Sequence, residues 1–220
     1  AALVQAKGEI GWMTRARPLT LESGRLLLPL YSDGFNVSLV AYTDDGGDTW
    51  TASEPIVGLG NVQPSLAQRE DGTVVALMRD NGVPPKRIIH SESSDGGETW
   101  TVGRDIPLNN PGASVALLAL QDGRWLLAYN DTEKGRHDLS LAISEDEGET
   151  WEKLGALAHG PSGTEFHYPF AMQGDAGTVH LSFTHRSPAG KTIYHVACTE
   201  EDLQPGLQAF EDAPGLRYDP

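Results

Sequence analysis

The sequence contains a single cysteine, Cys198, which excludes an internal disulfide framework and any metal site built from several thiolates. Cations are scarce: 16 Lys and Arg stand against 31 Asp and Glu, a formal net charge of −15 at pH 7. Such a balance argues against nucleic acid as a partner, because phosphate binding needs a basic surface. No apolar run approaches the about 20 residues of a membrane-spanning helix, so no membrane partner is expected. The chain opens Ala1-Ala2-Leu3, without Met and without a charged-then-apolar leader. That opening reads as a processed chain or one cut from something longer, and fits the cytoplasm or, after leader removal, export.

What is present is repetition. The residues Thr43-Asp44-Asp45-Gly46-Gly47-Asp48-Thr49-Trp50 are matched by Ser93-Ser94-Asp95-Gly96-Gly97-Glu98-Thr99-Trp100 and again by Ser144-Glu145-Asp146-Glu147-Gly148-Glu149-Thr150-Trp151. The shared pattern is Ser/Thr-x-Asp-x-Gly-x-Thr-Trp, with its Asp positions 50 and 51 residues apart. A second signal runs in phase with it. Glu22-Ser23-Gly24, Glu70-Asp71-Gly72, Gln121-Asp122-Gly123 and Asp175-Ala176-Gly177 are tight-turn tripeptides between apolar runs.

Each unit therefore reads as strand, Gly turn, strand, longer loop, strand, Asp-containing turn, strand. In the second unit the expected strands are Pro64 to Gln68, Thr73 to Met78, Arg87 to Glu92, and one from Thr101 onward. A fourth unit, Phe166 to Thr199, has the first three strands and no Asp turn. Four-stranded units of this period point to an all-β fold, a β-propeller of antiparallel blades spanning residues 1–220. In the repeated turn the carboxylate can accept backbone N–H bonds and the Ser/Thr hydroxyl can add another. The Trp is expected to bury its ring between neighbouring sheets. Asp45, Asp95 and Asp146 thus have the residue type of catalytic groups and a structural role.

Strands alternate in direction, so the Asp and Gly turns share one end of each blade. The loops joining strands two and three, and the blades to one another, share the other. That end carries Asp33, Arg79, Asp80, Asn81, Asn130, Asp131 and His185 at the close of strand two. Arg15, Arg17, Gln63, Ser114, His167 and Tyr168 open strand one there. Nine of the 16 cations fall in these segments, among them Arg15, Arg17, Arg79, Arg136 and Arg186. A cationic mouth on an acidic body suits a carboxylate-bearing sugar, although solvated loop cations would look the same. His137, His167 and His185 come from different loops and strands, so no metal site is assigned, and no cofactor is expected.

The eight-residue turn is identified as the Asp-box, or BNR repeat, of the sialidase superfamily. "MRDNGVPPKR" (residues 78–87), "YNDTEKGRHDLSLAISEDEGETW" (129–151) and "HYPFAMQ" (167–173) resemble bacterial neuraminidase-like proteins. The resemblance covers about four-fifths of the chain. It implies the six-bladed sialidase propeller, of which this chain would supply about four blades from the C-terminal part; a closed four-bladed ring is the alternative. It implies a carboxylate held by arginines, with Arg79 and Arg136 at the second and third positions of the family's set. Tyr168 matches the nucleophile, and Gln63 stands where the family has the Glu that activates it. Gln is no base, so Glu165 or His167 would have to take that part. The family's first Arg and acid Asp are not found and belong to earlier blades.

Arg15, Arg17, Asp33, Asp80, Asn81, Asn130, Asp131, His137 and His185 are the candidate substrate-binding residues. Local readings stand beside these: Arg79 pairing with Asp80, Tyr168-Pro169 merely starting a strand, and the histidines as surface groups. The function implied is a sialidase-like glycoside hydrolase acting on a terminal acidic sugar. The alternatives are another carbohydrate-active propeller, such as a rhamnosidase or uronate lyase, or a non-enzymatic glycan-binding propeller. An open arc of blades would leave sheet edges and apolar surface exposed, so self-association or pairing with a missing N-terminal portion is expected.

Overall fold

The computed structural model describes residues 11–161 and 163–207; the opening Ala1-Ala2-Leu3 lies outside them. Sixteen strands form four antiparallel sheets. Sheet 1 holds β1 (Met13–Thr14), β2 (Leu19–Thr20), β3 (Leu26–Ser32), β4 (Val37–Thr43) and β5 (Thr51–Ala52). Sheet 2 holds β6 (Asn61–Gln68), β7 (Val74–Asp80), β8 (Arg87–Ser93) and β9 (Arg104–Asn109). Sheet 3 holds β10 (Ala116–Ala119), β11 (Trp125–Tyr129), β12 (Asp138–Ser144) and β13 (Glu152–His159). Sheet 4 holds β14 (Glu165–Gln173), β15 (Val179–Ser187) and β16 (Gly190–Cys198), and is followed by a short 3-10 turn, Glu200–Asp202. Within each sheet the strands lie in sequence order, as in propeller blades. The described residues fall into two compact units that divide after Pro107.

Each unit has its own apolar core between two sheets. In the first unit Leu27, Val40, Leu66, Val74, Ala76 and Met78 form it. In the second, Leu126, Leu141, Leu157, Phe166, Leu181 and Val196 do. The Gly turns are built alike. Leu21, Arg69, Leu120 and Gly174 each donate their N–H to the carbonyl four residues on. Gly24, Gly72, Gly123 and Gly177 donate back to those residues, at φ of 88°, 90°, 91° and 81°. Only glycine adopts such values without a steric cost.

The Asp-boxes join strands three and four in sheets 1, 2 and 3, and their chemistry repeats atom for atom. In the first, Thr43 Oγ1 donates to Asp45 Oδ1 (2.7 Å) while accepting from Gly47 N (3.0 Å). Thr49 donates its N–H to Oδ1 (2.9 Å) and its hydroxyl to Oδ2 (2.6 Å). Ser93, Asp95 and Thr99 repeat this, as do Ser144, Asp146 and Thr150. These bonds hold the Asp45 and Asp146 carboxyls below the ordinary range. At Asp95 partial burial pushes the other way, and the bonds from Thr99 and Ser93 outweigh it, lowering the group to about 2.

The Trp expectation holds in part: Trp100 is partly buried against the core between sheets 1 and 2, whereas Trp50 is 46% exposed. The indole N–H of each box Trp folds back onto its own turn, bonding the carbonyl of Gly47, Gly97 or Gly148. The ring buried in that region of sheet 3 is Trp125, against which a side chain at Gly148 would collide. The strands of sheet 2 are also displaced from the expected limits: β6 begins at Asn61, β7 runs to Asp80 and β9 starts at Arg104. The extra length of β6 comes from a bulge at Gln63-Pro64 that a plain alternation pattern does not show.

Asp95→Asn keeps the shape of the box and removes its charge. The carboxyl is depressed in the folded chain, so its contribution is present above pH ~4 and is lost as pH falls towards about 2. Urea unfolding should show the variant less stable at pH 7 by about 1 kcal/mol after solvent screening. The difference from wild type should shrink as pH falls through about 2 and vanish only below it; a difference that persists well below that pH would mean the charge is not what the turn uses.

Candidate functional site

The two units are described separately. In the first, the candidates gather at the ends of β6 and β7. Gln63 is buried and sits at φ 58° inside the β6 bulge. Arg79 lies in β7 opposite Val62 and donates from Nη2 to Asn81 Oδ1 (3.1 Å), while its Nε is buried without a partner. It does not pair with Asp80, because adjacent residues of a strand point to opposite faces. Asp80 is buried, and its carboxylate accepts from Gly82 N (2.7 Å) and Arg87 N (3.2 Å), shaping the β7–β8 loop. Asn81 donates to Asn36 in the β3–β4 loop (2.8 Å), which ties sheet 2 to sheet 1. Asp33 is exposed in that same loop. Arg15 and Arg17 lie in the break between β1 and β2, and burial lowers the Arg17 pKa with no acidic partner opposing it.

In the second unit Arg136, His167, Glu165 and Arg186 form one connected chain. Arg136 Nη1 contacts His167 Nδ1 (2.5 Å) and Nη2 donates to the Gly112 carbonyl (2.7 Å). A guanidinium has no acceptor, so His167 Nδ1 must be the bare nitrogen. Its proton is therefore on Nε2, which donates to Glu165 Oε2 (3.1 Å); the same oxygen accepts from Arg186 Nη1 (3.1 Å). Burial and then the Arg136 charge lower the His167 pKa, with Glu165 opposing. Burial raises the Glu165 pKa, but the His167 hydrogen bond and the charges of Arg186 and Arg136 outweigh it. The result is a neutral imidazole and an ionised carboxylate.

Tyr168 follows at φ 53°, half exposed, inside the bulge between β14 and β15, with its ring 5.9 Å from that of His167. Beside this chain opens a cavity of about 440 Å³ walled by residues 135–137, 163–165 and 186–188.

The other candidates do structural work. Asn130 is buried and donates to the Asp138 (2.8 Å) and Phe166 (3.3 Å) carbonyls, leaving its Oδ1 without a partner. Asp131 accepts from Asn109 (3.0 Å) and Lys153 (2.7 Å). His185 stacks on Phe166 (5.3 Å) and meets Tyr194 edge-on (5.4 Å), which fits packing better than ligand binding. His137 lines the cavity and contacts the His159 ring edge-on (6.0 Å). Among the described residues no group of three or more His, Cys, Asp or Glu is placed to hold a metal ion.

The sequence names Glu165 only as a stand-in base and Arg186 only among the cations of the upper segments, and does not join the two. They are register partners, Glu165 opposite Arg186, and counting outward from the Gly177 turn would have paired them once a one-residue bulge was allowed. The same counting finds a further regularity. Six residues before the first residue of each Gly turn stand Arg15, Gln63, Ser114 and Tyr168, one from each sheet.

Sheets of this order, three of them closed by Asp-boxes, are blades of the β-propeller class. The chain belongs to the BNR repeat-like domain family, within the sialidase superfamily; the family pattern matches residues 3–181. It is 28% identical over 147 residues to a sialidase of Bacteroides fragilis, a match covering 61% of this chain and 26% of that protein. The solved structure of NanB sialidase from Streptococcus pneumoniae aligns with a TM-score of 0.69 at 20% identity, over 85% of this chain and 31% of that one. The α-L-arabinanase of Penicillium chrysogenum aligns with a TM-score of 0.66 at 17% identity, over 86% of this chain and 64% of that one. These structural likenesses show the shared fold. The chain spans between 10% and 33% of the length of the curated relatives it matches.

The site makes a two-sided prediction for NMR titration of the imidazole nitrogens. Glu165→Gln removes the group that favours imidazolium and should move the His167 transition to lower pH. Arg136→Gln removes a repelling charge and should move it up. An upward shift in Glu165→Gln would break the assigned chain of hydrogen bonds.

Proposed function

We propose that this chain is the substrate-facing part of a sialidase-like glycoside hydrolase that releases a terminal acidic sugar. The observation that supports it is Tyr168: half exposed, in left-handed backbone, next to an imidazole that grips Arg136. A tyrosine held that way is suited to meet an anomeric carbon. Arg136 is held in place by His167 and by the Gly112 carbonyl, which fixes the orientation of its planar fork, the geometry that pairs with a carboxylate. Arg79 is the corresponding cation of the first unit. Membership of the sialidase superfamily and the sequence likeness to sialidases support the same reading.

The uronate-lyase alternative asks for a base beside Tyr168. His167 does not fit that part, because its bare nitrogen is already engaged by Arg136 and its other nitrogen is protonated. The non-enzymatic glycan-binding reading differs from the hydrolase in turnover alone. Turnover of an aryl sialoside measures it. Tyr168→Phe should lower kcat by about two to four orders of magnitude, the range for a positioned catalytic side chain. Wild type and variant equally inactive, with another acidic glycan cleaved or bound, would set the sialidase reading aside.

We also infer self-association. Met172 (45% exposed) and Ile193 (68%) lie on one face of sheet 4, and β16 has no strand on its outer side among the described residues. Light scattering should give at least twice the chain mass; a monodisperse monomer would overturn this.

A further inference from the structure

The cavity in the second unit has a use that Tyr168 and Arg136 leave open. Its 440 Å³ lies within the range of small-ligand pockets, and three segments of the β11–β12, β13–β14 and β15–β16 connections form its walls. It shares Arg136 and Glu165 with the hydrogen-bonded chain, whereas Tyr168 is not part of its lining. His167 stands between the two, touching Arg136 and Glu165 through its nitrogens and Tyr168 through its ring.

The lining defines what that neighbour should carry. Arg186 is the most exposed cation of the wall, with 57% of its side chain open to solvent. It spends Nη1 on Glu165, and its other two nitrogens make no hydrogen bond among the described residues. Ser187 Oγ accepts from Ala189 N, which leaves its own proton to donate. No aromatic ring other than His137 lines the cavity, so a flat apolar aglycone gains little. The unused guanidinium N–H groups of Arg186 and the Ser187 hydroxyl, beside open volume, fit an oxygen-rich anion.

We propose that this cavity is a second sugar subsite, adjoining the Tyr168 site, that takes a residue bearing a carboxylate or sulfate, with Arg186 as its specificity-determining residue. This rests on the glycoside-hydrolase reading for the direction of the glycan, and on the cavity itself for the chemistry. Arg186 is a binding group and takes no part in bond cleavage.

The test is calorimetric titration of the full chain with digalacturonate, sulfated lactose, neutral lactose and monomeric galactose, which carries no anion. At least one acidic disaccharide should bind, and which one binds distinguishes carboxylate from sulfate. Arg186→Gln should weaken that binding by about 10-fold or more, the loss of one charge-assisted hydrogen bond. Arg186→Lys, which keeps the charge and loses the fork, should fall between. Binding of the monosaccharide should change by less than about 2-fold. The side chain is largely exposed, and unchanged thermal unfolding will show that the variants fold. The subsite is overturned if neither acidic disaccharide binds, if Arg186→Gln binds like wild type, if lactose binds equally well, or if the monosaccharide suffers the same loss. Arg186-dependent binding without any glycoside turnover keeps the subsite and removes the hydrolase reading. Tyr168-dependent turnover with no Arg186-dependent binding does the reverse.

Discussion

In each Asp-box one carboxylate collects a hydroxyl from strand three, an N–H from the turn and a second hydroxyl from the residue before the Trp. That arrangement lets strand three reverse into strand four within eight residues. Sheet 4, which has no box, has three strands among the described residues. Regular blades in turn fix where strands one and two end at the opposite side. The candidate residues stand at those ends. The most conspicuous acidic residues of the sequence thus govern the site from its far side and never face it.

The charge distribution follows the same division within each unit. Cations near the repeated turns are neutralised locally. Arg25 pairs with Asp44 (2.8 Å) and Glu98 (2.9 Å), Arg69 with Glu92 (2.9 Å), and Arg124 with Asp122 (2.7 Å). At the other end the pattern changes. Arg17 is desolvated without an acid, Arg79 bonds a neutral amide, and Arg186 gives only Nη1 to a carboxylate that it shares with His167. A guanidinium held by dipoles, or by one oxygen of a shared carboxylate, keeps N–H donors for a ligand. A chain with a net charge of −15 can present anion-attracting ends in this way without many cations.

Much of the architecture was legible in the sequence because it is carried by local, repeated chemistry. Gly24, Gly72, Gly123 and Gly177 mark the turns, and Asp45, Asp95 and Asp146 mark the bends; both signals depend only on neighbours within eight residues. What depends on non-local geometry was harder to see. The box Trp looked like an interior ring, yet its indole bonds a carbonyl three residues back, which sequence spacing could equally have suggested. The grip of His167 on Arg136 joins residues 31 apart on different sheets and has no local signature. The Glu165–Arg186 pair was hidden by the bulge that shifts the register between His167 and Phe170.

That bulge is the more informative irregularity. Gln63 and Tyr168 each precede a proline, each interrupt strand one, and each adopt a positive φ that costs a non-glycine residue about 1–3 kcal/mol. Neither has the small flexible side chain that would make such a backbone cheap. Strain of this kind persists only where packing over-determines it, and here it recurs at the same count from the Gly turn in two sheets of different units. The equivalent positions in the other two sheets hold Arg15 and Ser114. One place in the blade therefore carries a guanidinium, an amide, a hydroxyl and a phenol by turns. The repeat supplies the position, the bulge aims the side chain, and the residue type at that single position is where chemistry can differ from blade to blade. The repeated turns are nearly identical whatever a site does, so within each unit it is this position, and not the turn, at which one blade differs from the next.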